Sequence, residues 1–245
     1  MIDAATATLQ QLLAAAADEA TRRHWESYLK GAARFRGVPM AGIRAAVRRT
    51  WRNHDLAGAT TADLLALAQR WFAVATSEDK LAAVLLLAEH AADRLTVDHV
   101  DALAAPFATG DVADWNVCDW YATKALHAFL THDPADLEPR ARALATWGAA
   151  DGLWQRRAAL VAFVKLAARA SEQFSGFTPL VLQLCRDNLV VDDRFAHTGP
   201  GWVLRELSRC DPDAVRDFVA TEPALSQEAC RMALARLRPG PYRRR

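Results

Sequence analysis

The chain has 245 residues, of which 52% are hydrophobic, and a formal net charge of +1, so it can form a full core in one or two domains. Residues 1–4 lack the basic start of a signal peptide, and no apolar run approaches the ~18 residues of a membrane span, so we expect neither. The four cysteines show no Cys-x-x-Cys spacing, which argues against disulfides and a cysteine-based zinc site and favours a cytoplasmic protein with reduced thiols.

The elements predicted along the chain are helices, and we find no convincing strand pattern. Apolar residues recur at helical spacing in residues 64–72 and 81–88, and in one longer helix over residues 153–166. Loops with N-cap signals separate the helices at residues 60–63, 76–79, 131–134 and 210–213. Helices of about 10–18 residues, in pairs of about 35–40 residues, predict an all-α fold, an α-solenoid (superhelix) of HEAT-like helical repeats. A compact helical bundle is the alternative architecture.

Two breaks interrupt the helical pattern. The run Gly37-Val38-Pro39 places Arg36 at a junction between two basic helices. The run His197-Thr198-Gly199-Pro200-Gly201 interrupts a helix, because proline lacks the N–H donor and glycine has low helix propensity. We therefore expect Pro200 at a first helical position and Trp202 in the opening turn, at a helix N-terminus that faces a phosphate.

Charge is unevenly distributed although the net charge is small. Residues 21–52 contain nine Lys or Arg and one acid, and residues 139–170 contain six basic residues and one acid. Residues 53–138, by contrast, contain four basic and fourteen acidic residues, and five arginines lie in the last ten residues. A single Arg-rich run is usually a solvated helix face. Separate basic blocks beside an acidic middle favour a concave basic face that binds a DNA backbone.

The domain organisation that we predict is one HEAT-like-repeat domain over residues 1–245. The last residues, about eight of them, read as a flexible basic tail. We expect a monomer, because a solenoid with capped ends needs no partner to close its core.

Two tryptophans and one aspartate form the candidate site. Trp115 and Asp119 are four residues apart on a predicted helix, which puts an indole face and a carboxylate side by side. Trp202 supplies a second indole. Indole faces attract cations, and a carboxylate stabilises an oxocarbenium-like sugar and orients an attacking water. The combination points to DNA that carries a cationic, alkylated base. Taken alone, a Trp at helical spacing is more often a core residue, and Asp119 has Lys124 or an arginine as an alternative partner.

A family resemblance rests on several motifs that occur in the same order over residues 25–237. These motifs are Tyr28-Leu29-Lys30, Phe35-Arg36-Gly37-Val38, Trp115-x-x-x-Asp119, Leu153-Trp154-Gln155-Arg156-Arg157-Ala158-Ala159 and Gly201-Trp202-Val203-Leu204-Arg205-Glu206. They resemble the bacterial alkylpurine DNA glycosylases of the HEAT-like-repeat superfamily (AlkD-like). The resemblance implies hydrolytic removal of cationic 3-methyladenine and 7-methylguanine from double-stranded DNA in the cytoplasm, at the nucleoid. It implies no metal, no cofactor and no rotation of the lesion into a deep pocket.

The resemblance also implies roles for individual residues. Asp119 matches the catalytic carboxylate, and Trp115 and Trp202 match the two tryptophans that contact the lesion. Arg157 matches an arginine that holds the DNA backbone or positions Asp119. The DNA-binding set, from these motifs and the basic blocks, is Tyr28, Lys30, Arg34, Arg36, Arg44, Arg48, Arg156, Arg157 and Arg205.

The sequence departs from the family pattern at two places. Asn116 follows Trp115 where the family usually has an acid, and Thr198-Gly199-Pro200 precedes Gly201 where the family has an unbroken helix. Both departures affect the expected lesion preference.

Other readings of the chain remain open. A non-catalytic HEAT-repeat protein that binds bent or branched DNA is the first alternative, and a protein–protein scaffold is the second. We expect no metal site, because His127 and His132 are five apart and do not share a helix face. Cys118 reads as a core residue, since the neighbouring carboxylate raises its pKa and disfavours a reactive thiolate.

Overall fold

The computed structural model describes residues 1–237, and the basic tail predicted for the last residues lies outside this range. The chain divides into two compact units, Met1–His132 and Asp133–Arg245. Within the described residues the regular elements are helical, and the one extended pairing is an isolated parallel bridge between Arg34 and Thr76. The predicted all-α class is therefore confirmed, whereas a single domain over residues 1–245 stays a prediction.

The first unit is built from α-helices joined by turns and longer connections. They are α1 (Ile2–Ala15), α2 (Glu19–Tyr28), α3 (Met40–Asn53), α4 (Thr61–Phe72), α5 (Ser77–Leu86), α6 (Val100–Ala108), α7 (Trp115–Trp120) and α8 (His127–Thr131). α5 continues into a π-helical turn at Leu87–Ala91, and α7 continues into another at Tyr121–Leu126. π-Helical turns widen a helix locally and are frequent at functional sites.

The second unit is also helical over its described residues. Its helices are α9 (Leu137–Ala145), α10 (Leu153–Val161), α11 (Val164–Ala167), α12 (Phe177–Asn188), α13 (Arg194–Leu207), α14 (Pro212–Thr221) and α15 (Gln227–Leu234). No helix in residues 1–237 is both long enough and apolar enough to cross a membrane.

Short polar residues begin several helices where the sequence predicts them. The Thr60 hydroxyl accepts the backbone N–H of Asp63, and the Asp63 carboxylate accepts the backbone N–H of Thr60, which is a capping box. Asp211 caps α14, whose first residue is Pro212. Such caps satisfy N–H groups that have no partner inside the helix.

The connection between α2 and α3 contains the predicted junction and has a fixed backbone. Gly37 has φ of +90°, and a Cβ at this position would lie 2.0 Å from the backbone oxygen of Asp18, so only glycine fits. The buried carboxylate of Glu78, on α5, accepts the backbone N–H groups of Arg36, Gly37 and Val38 at 2.7–3.1 Å. One acidic side chain therefore fixes this connection to α5.

The expected helix start at Pro200 is wrong. Pro200 lies inside α13, which begins at Arg194 and is capped by Asp193, so Trp202 is not in an opening turn and no helix N-terminus faces a phosphate there. An internal proline costs one hydrogen bond, but packing outweighs this cost. A Cβ at Gly201 would lie 2.9 Å from the Cα of Ala229 on α15, so the missing side chain lets α13 and α15 pack closely.

The longer helix expected over residues 153–166 is also wrong in one respect. The chain turns at residues 162–163 and divides it into α10 and α11. The backbone N–H of Phe163 bonds to Leu160, three residues back, which tightens the last turn. Phe163 is fully buried, and its ring contacts that of Phe177, so the turn serves the core of the second unit.

Candidate functional site

Helix α7 presents Trp115 and Asp119 on one face, as the spacing predicts. Trp115 is the first residue of α7 and Asp119 follows one turn later, and both are half-buried. Val117 and Cys118 on the other side of the helix are fully buried, which confirms Cys118 as a core residue. The amphipathic pattern of α7 therefore orients the indole and the carboxylate away from the core.

Asp114 is a further residue of the candidate site, which the sequence reasoning missed. Its carboxylate accepts the backbone N–H of Val117 at 2.9 Å and so begins α7. Burial raises the pKa of Asp114, and the negative charge of Asp119 raises it further, whereas Lys80 lowers it. In the sequence, an aspartate before a helix indicates only an N-cap. Nothing in the sequence pattern therefore indicates that this carboxyl group is partly buried and interacts with Asp119.

Lys80 is a second residue that the sequence reasoning missed. Its ammonium donates to the backbone oxygen of Asp111. Burial lowers the pKa of Lys80, while Asp111 and Asp114 counteract this shift. The Lys80 ammonium thus lies near the start of α7, where it partly balances the negative charges of Asp111 and Asp114.

Asp114→Asn should stabilise the protein increasingly as the pH rises above 3.8, the ordinary pKa of an aspartate. Because folding raises the pKa of Asp114, its protonated form contributes stability fully below pH 3.8, and this contribution is lost as the pH rises through the folded-state pKa. Asparagine keeps the cap but does not ionise. Urea unfolding of both proteins at several pH values measures the effect, and a stability difference independent of pH would contradict it.

Aromatic rings extend the site from Trp115 towards α2. The ring of Tyr28 meets Trp115 edge-on with centroids 5.8 Å apart, and Trp25 meets Tyr28 in the same way at 5.9 Å. Trp25 in turn stacks on Phe35 at 6.1 Å. Tyr28 is 59% exposed, so an amphipathic ring lies at the surface beside the Trp115 indole.

The predicted DNA-binding residues of the first unit fall into two groups. Arg36 donates to the buried carboxylate of Asp79 at 2.8 and 3.0 Å, and Arg44 pairs with Glu89 at 2.7 Å. These guanidinium groups already have partners inside the protein. A second set is exposed and makes no ion pair with the residues that the structure describes, namely Lys30, Arg34 and Arg48.

In the second unit, Arg157 is only 4% exposed and lies against α13. Its Nη1 donates to the backbone oxygen of Phe195 at 2.7 Å and to the Thr198 hydroxyl at 3.3 Å. A Cβ at Gly199 would lie 3.4 Å from the same nitrogen. The Thr198-Gly199-Pro200 departure therefore provides both a hydrogen-bond partner and the space for this guanidinium.

The remaining predicted residues of the second unit are near the surface. Trp202 is half-buried on α13. Arg156 donates to the backbone oxygen of Asp151, and Arg205 pairs with Glu206 at 3.1 Å. Among residues 1–237, no group of three or more His, Cys, Asp or Glu side chains is arranged to hold a metal ion.

Comparisons with known proteins agree with this architecture. A family model described as DNA alkylation repair enzyme matches residues 9–237. The curated proteins contain no match. A solved structure named "Predicted DNA alkylation repair enzyme from Enterococcus faecalis" is similar with a TM-score of 0.75 and 18% identity, over 91% of this chain and 98% of that chain. The likeness shows a shared fold and confirms the predicted all-α helical-repeat class.

Proposed function

Because the chain belongs to the family of DNA alkylation repair enzymes, we propose that it is a DNA glycosylase for cationic purines alkylated at N3 or N7. One observation carries the proposal. The Trp115 indole and the Asp119 carboxylate lie one turn apart on α7, half-buried, with their helix fixed at its start by Asp114. A cation-binding face beside a carboxylate suits a positively charged base attached to a sugar that becomes positive.

The reaction is hydrolysis of the N-glycosidic bond. Water forms a bond to C1′ of the sugar, the C1′–N bond breaks, and its electron pair goes to the base, which leaves as a neutral molecule. The proton of the water is released at Asp119 or to solvent. Since the base leaves neutral, no general acid is required, and Asp119 acts by stabilising the oxocarbenium-like sugar and orienting the water.

Trp115 and Trp202 are proposed to contact the cationic base. A cation on an indole face gains about 0.5–1 kcal/mol when exposed and about 2 kcal/mol or more when desolvated, and the Tyr28 ring contacts Trp115 edge-on. For Trp202 the proposal rests on its motif and its half-buried position on α13. Neither a metal nor a cofactor has a role in this reaction.

The substrate that we propose is double-stranded DNA. Exposed Lys30, Arg34 and Arg48 are suited to phosphate contacts, which give salt-dependent affinity without base specificity. Arg156 and Arg205 are proposed as further backbone contacts of the second unit, whereas the buried Arg157 is proposed to hold α13 in place through its bonds to Phe195 and Thr198. We expect the protein to act as a monomer in the cytoplasm, at the nucleoid.

The decisive experiment is base release from a duplex that carries a single 7-methylguanine. We expect the wild type to release this base and to leave an abasic site that alkali cleaves, while an unmodified duplex of the same sequence stays intact. Salt-sensitive duplex binding without release would instead indicate a bulkier lesion as substrate or the non-catalytic DNA binder. Absence of both would indicate the protein–protein scaffold.

A further inference from the structure

Lys124 is the one basic side chain in residues 115–126, the segment that contains Trp115 and Asp119. The sequence alone offers it as a partner of Asp119. In the structure its ammonium lies instead over the Trp120 ring, 5.4 Å from the ring centroid. Lys124 is exposed and makes no ion pair with the residues that the structure describes, so its charge is available to a ligand.

The helix that follows Asp119 turns Lys124 towards the face of that carboxylate. The two residues are five positions apart, which in an α-helix is well past one turn. The chain is instead π-helical over Tyr121–Leu126. Because π-helical hydrogen bonds join residues five apart, position 124 comes back towards the face of position 119. The Thr123 hydroxyl donates to the backbone oxygen of Asp119 at 2.6 Å, which adds a bond across this turn.

The contact with Trp120 limits where the Lys124 ammonium lies. Trp120 is half-buried and packs in the wall of a small pocket with Trp25 and Phe35, so its ring is held by its neighbours. The face of an indole attracts a cation. The contact therefore keeps the ammonium close to the surface of this helix, near the Asp119 face, rather than extended into solvent.

A cation in this position is unfavourable for the proposed reaction unless an anion neutralises it. The base is positively charged and the sugar becomes positive in the transition state, and a nearby ammonium without a partner repels both. A DNA nucleotide supplies the required anion, because a phosphate flanks its sugar on each side.

We propose that Lys124 binds a phosphate that flanks the alkylated nucleotide and thereby holds the C1′ atom of that nucleotide at Asp119. The inference rests on the proposed function and adds a substrate-binding residue to its site. The ion pair positions the damaged strand, and the neutralised ammonium no longer opposes the positive charge of the sugar. A phosphate contact carries no base specificity, so it serves purines alkylated at N3 and at N7 alike.

A neutral methylphosphonate in place of one phosphate tests this contact. Three duplexes carry the same 7-methylguanine, one with natural phosphates and two with a methylphosphonate immediately 5′ or 3′ of the lesion. On the natural duplex, the single-turnover rate of Lys124→Met at subsaturating protein should be roughly tenfold below that of wild type, the effect of one charge-assisted hydrogen bond. On the duplex whose contacted phosphate is neutral, wild type should lose as much, and Lys124→Met should lose nothing more.

Two further variants complete the comparison. Lys124→Arg keeps the charge and should recover most of the rate on the natural duplex. Lys165→Met makes the same chemical change at an exposed position of α11 and should show no coupling to either methylphosphonate. Losses in Lys124→Met that simply add to those of both methylphosphonates would overturn the proposal.

Dissociation constants of the same duplexes separate this contact from the proposed function. Wild type that binds the damaged duplex but releases no base contradicts the proposed function, and the coupling in the dissociation constants then decides whether Lys124 contacts a flanking phosphate. Base release with additive losses contradicts only the contact. Thermal unfolding identifies a variant that fails to fold, and Lys124→Gln then takes the place of Lys124→Met.

Discussion

Asp119→Asn is expected to lower the single-turnover rate of 7-methylguanine release by at least about a hundredfold, since removing one preorganised electrostatic group at a transition state costs about 10²–10³ in rate. The amide has nearly the same shape as the carboxylate but no charge to stabilise the positive sugar. DNA affinity should stay nearly unchanged, because a carboxylate does not attract phosphates. Base release and duplex binding, measured on the same oligonucleotide at one salt concentration, separate the two effects.

Asp101→Asn provides the matched control for this prediction. Asp101 lies in the first turn of α6 and is exposed, so the same chemical change there should leave both rate and affinity unaltered. Retention of the wild-type rate by Asp119→Asn would remove its catalytic role. Parallel loss of rate and affinity would instead indicate that Asp119 maintains the DNA-binding surface.

Glu78→Ala is expected to destabilise the protein by about 3–5 kcal/mol. The Glu78 side chain is 1% exposed and accepts the backbone N–H groups of three consecutive residues, 36–38. Its removal leaves these donors without an acceptor in a site that water reaches poorly. The same connection positions Phe35 against Trp25, so the change should also disturb the aromatic rings beside Trp115.

Chemical denaturation of wild type, Glu78→Ala and Glu78→Gln measures this effect. Glutamine keeps one acceptor oxygen but places an NH₂ group against backbone donors, so we expect a loss between those of wild type and alanine. A loss below about 1 kcal/mol for Glu78→Ala, the size of an exposed ion pair, would show that the residues around position 37 hold their conformation without the carboxylate.

The success of the helix predictions follows from the short range of the signals that they use. Hydrophobic periodicity identified α4, where Leu64, Leu67 and Trp71 are buried on one face, and polar caps marked its start at Thr60. The same local geometry placed Trp115 and Asp119 on one face of α7. Each of these features depends on residues within a few positions of one another. The geometry of a helix alone determines which of those residues share a face.

Proline 200 shows the limit of that reasoning. Local rules end a helix there, because Pro200 removes a hydrogen bond and glycines flank it. The helix continues since α13 packs closely on α15 at Gly201 and Ala229, which lie 28 positions apart in the sequence. Propensity is a weak prior that tertiary packing of this kind overrides.

The sequence by itself determined the all-α class, the placement of Trp115 and Asp119 on one helix face and the residues that resemble a known family. Only the tertiary structure decided which charged groups are already paired, as Arg36 is with Asp79, and how far polar groups are withdrawn from water, with Asp114 half-buried and Asn116 buried. Burial and long-range pairing depend on residues distant in sequence, and desolvation then sets pKa values and free hydrogen-bonding capacity. The spacing of residues along the chain therefore predicts neither the pKa values nor the free hydrogen-bonding capacity of these groups.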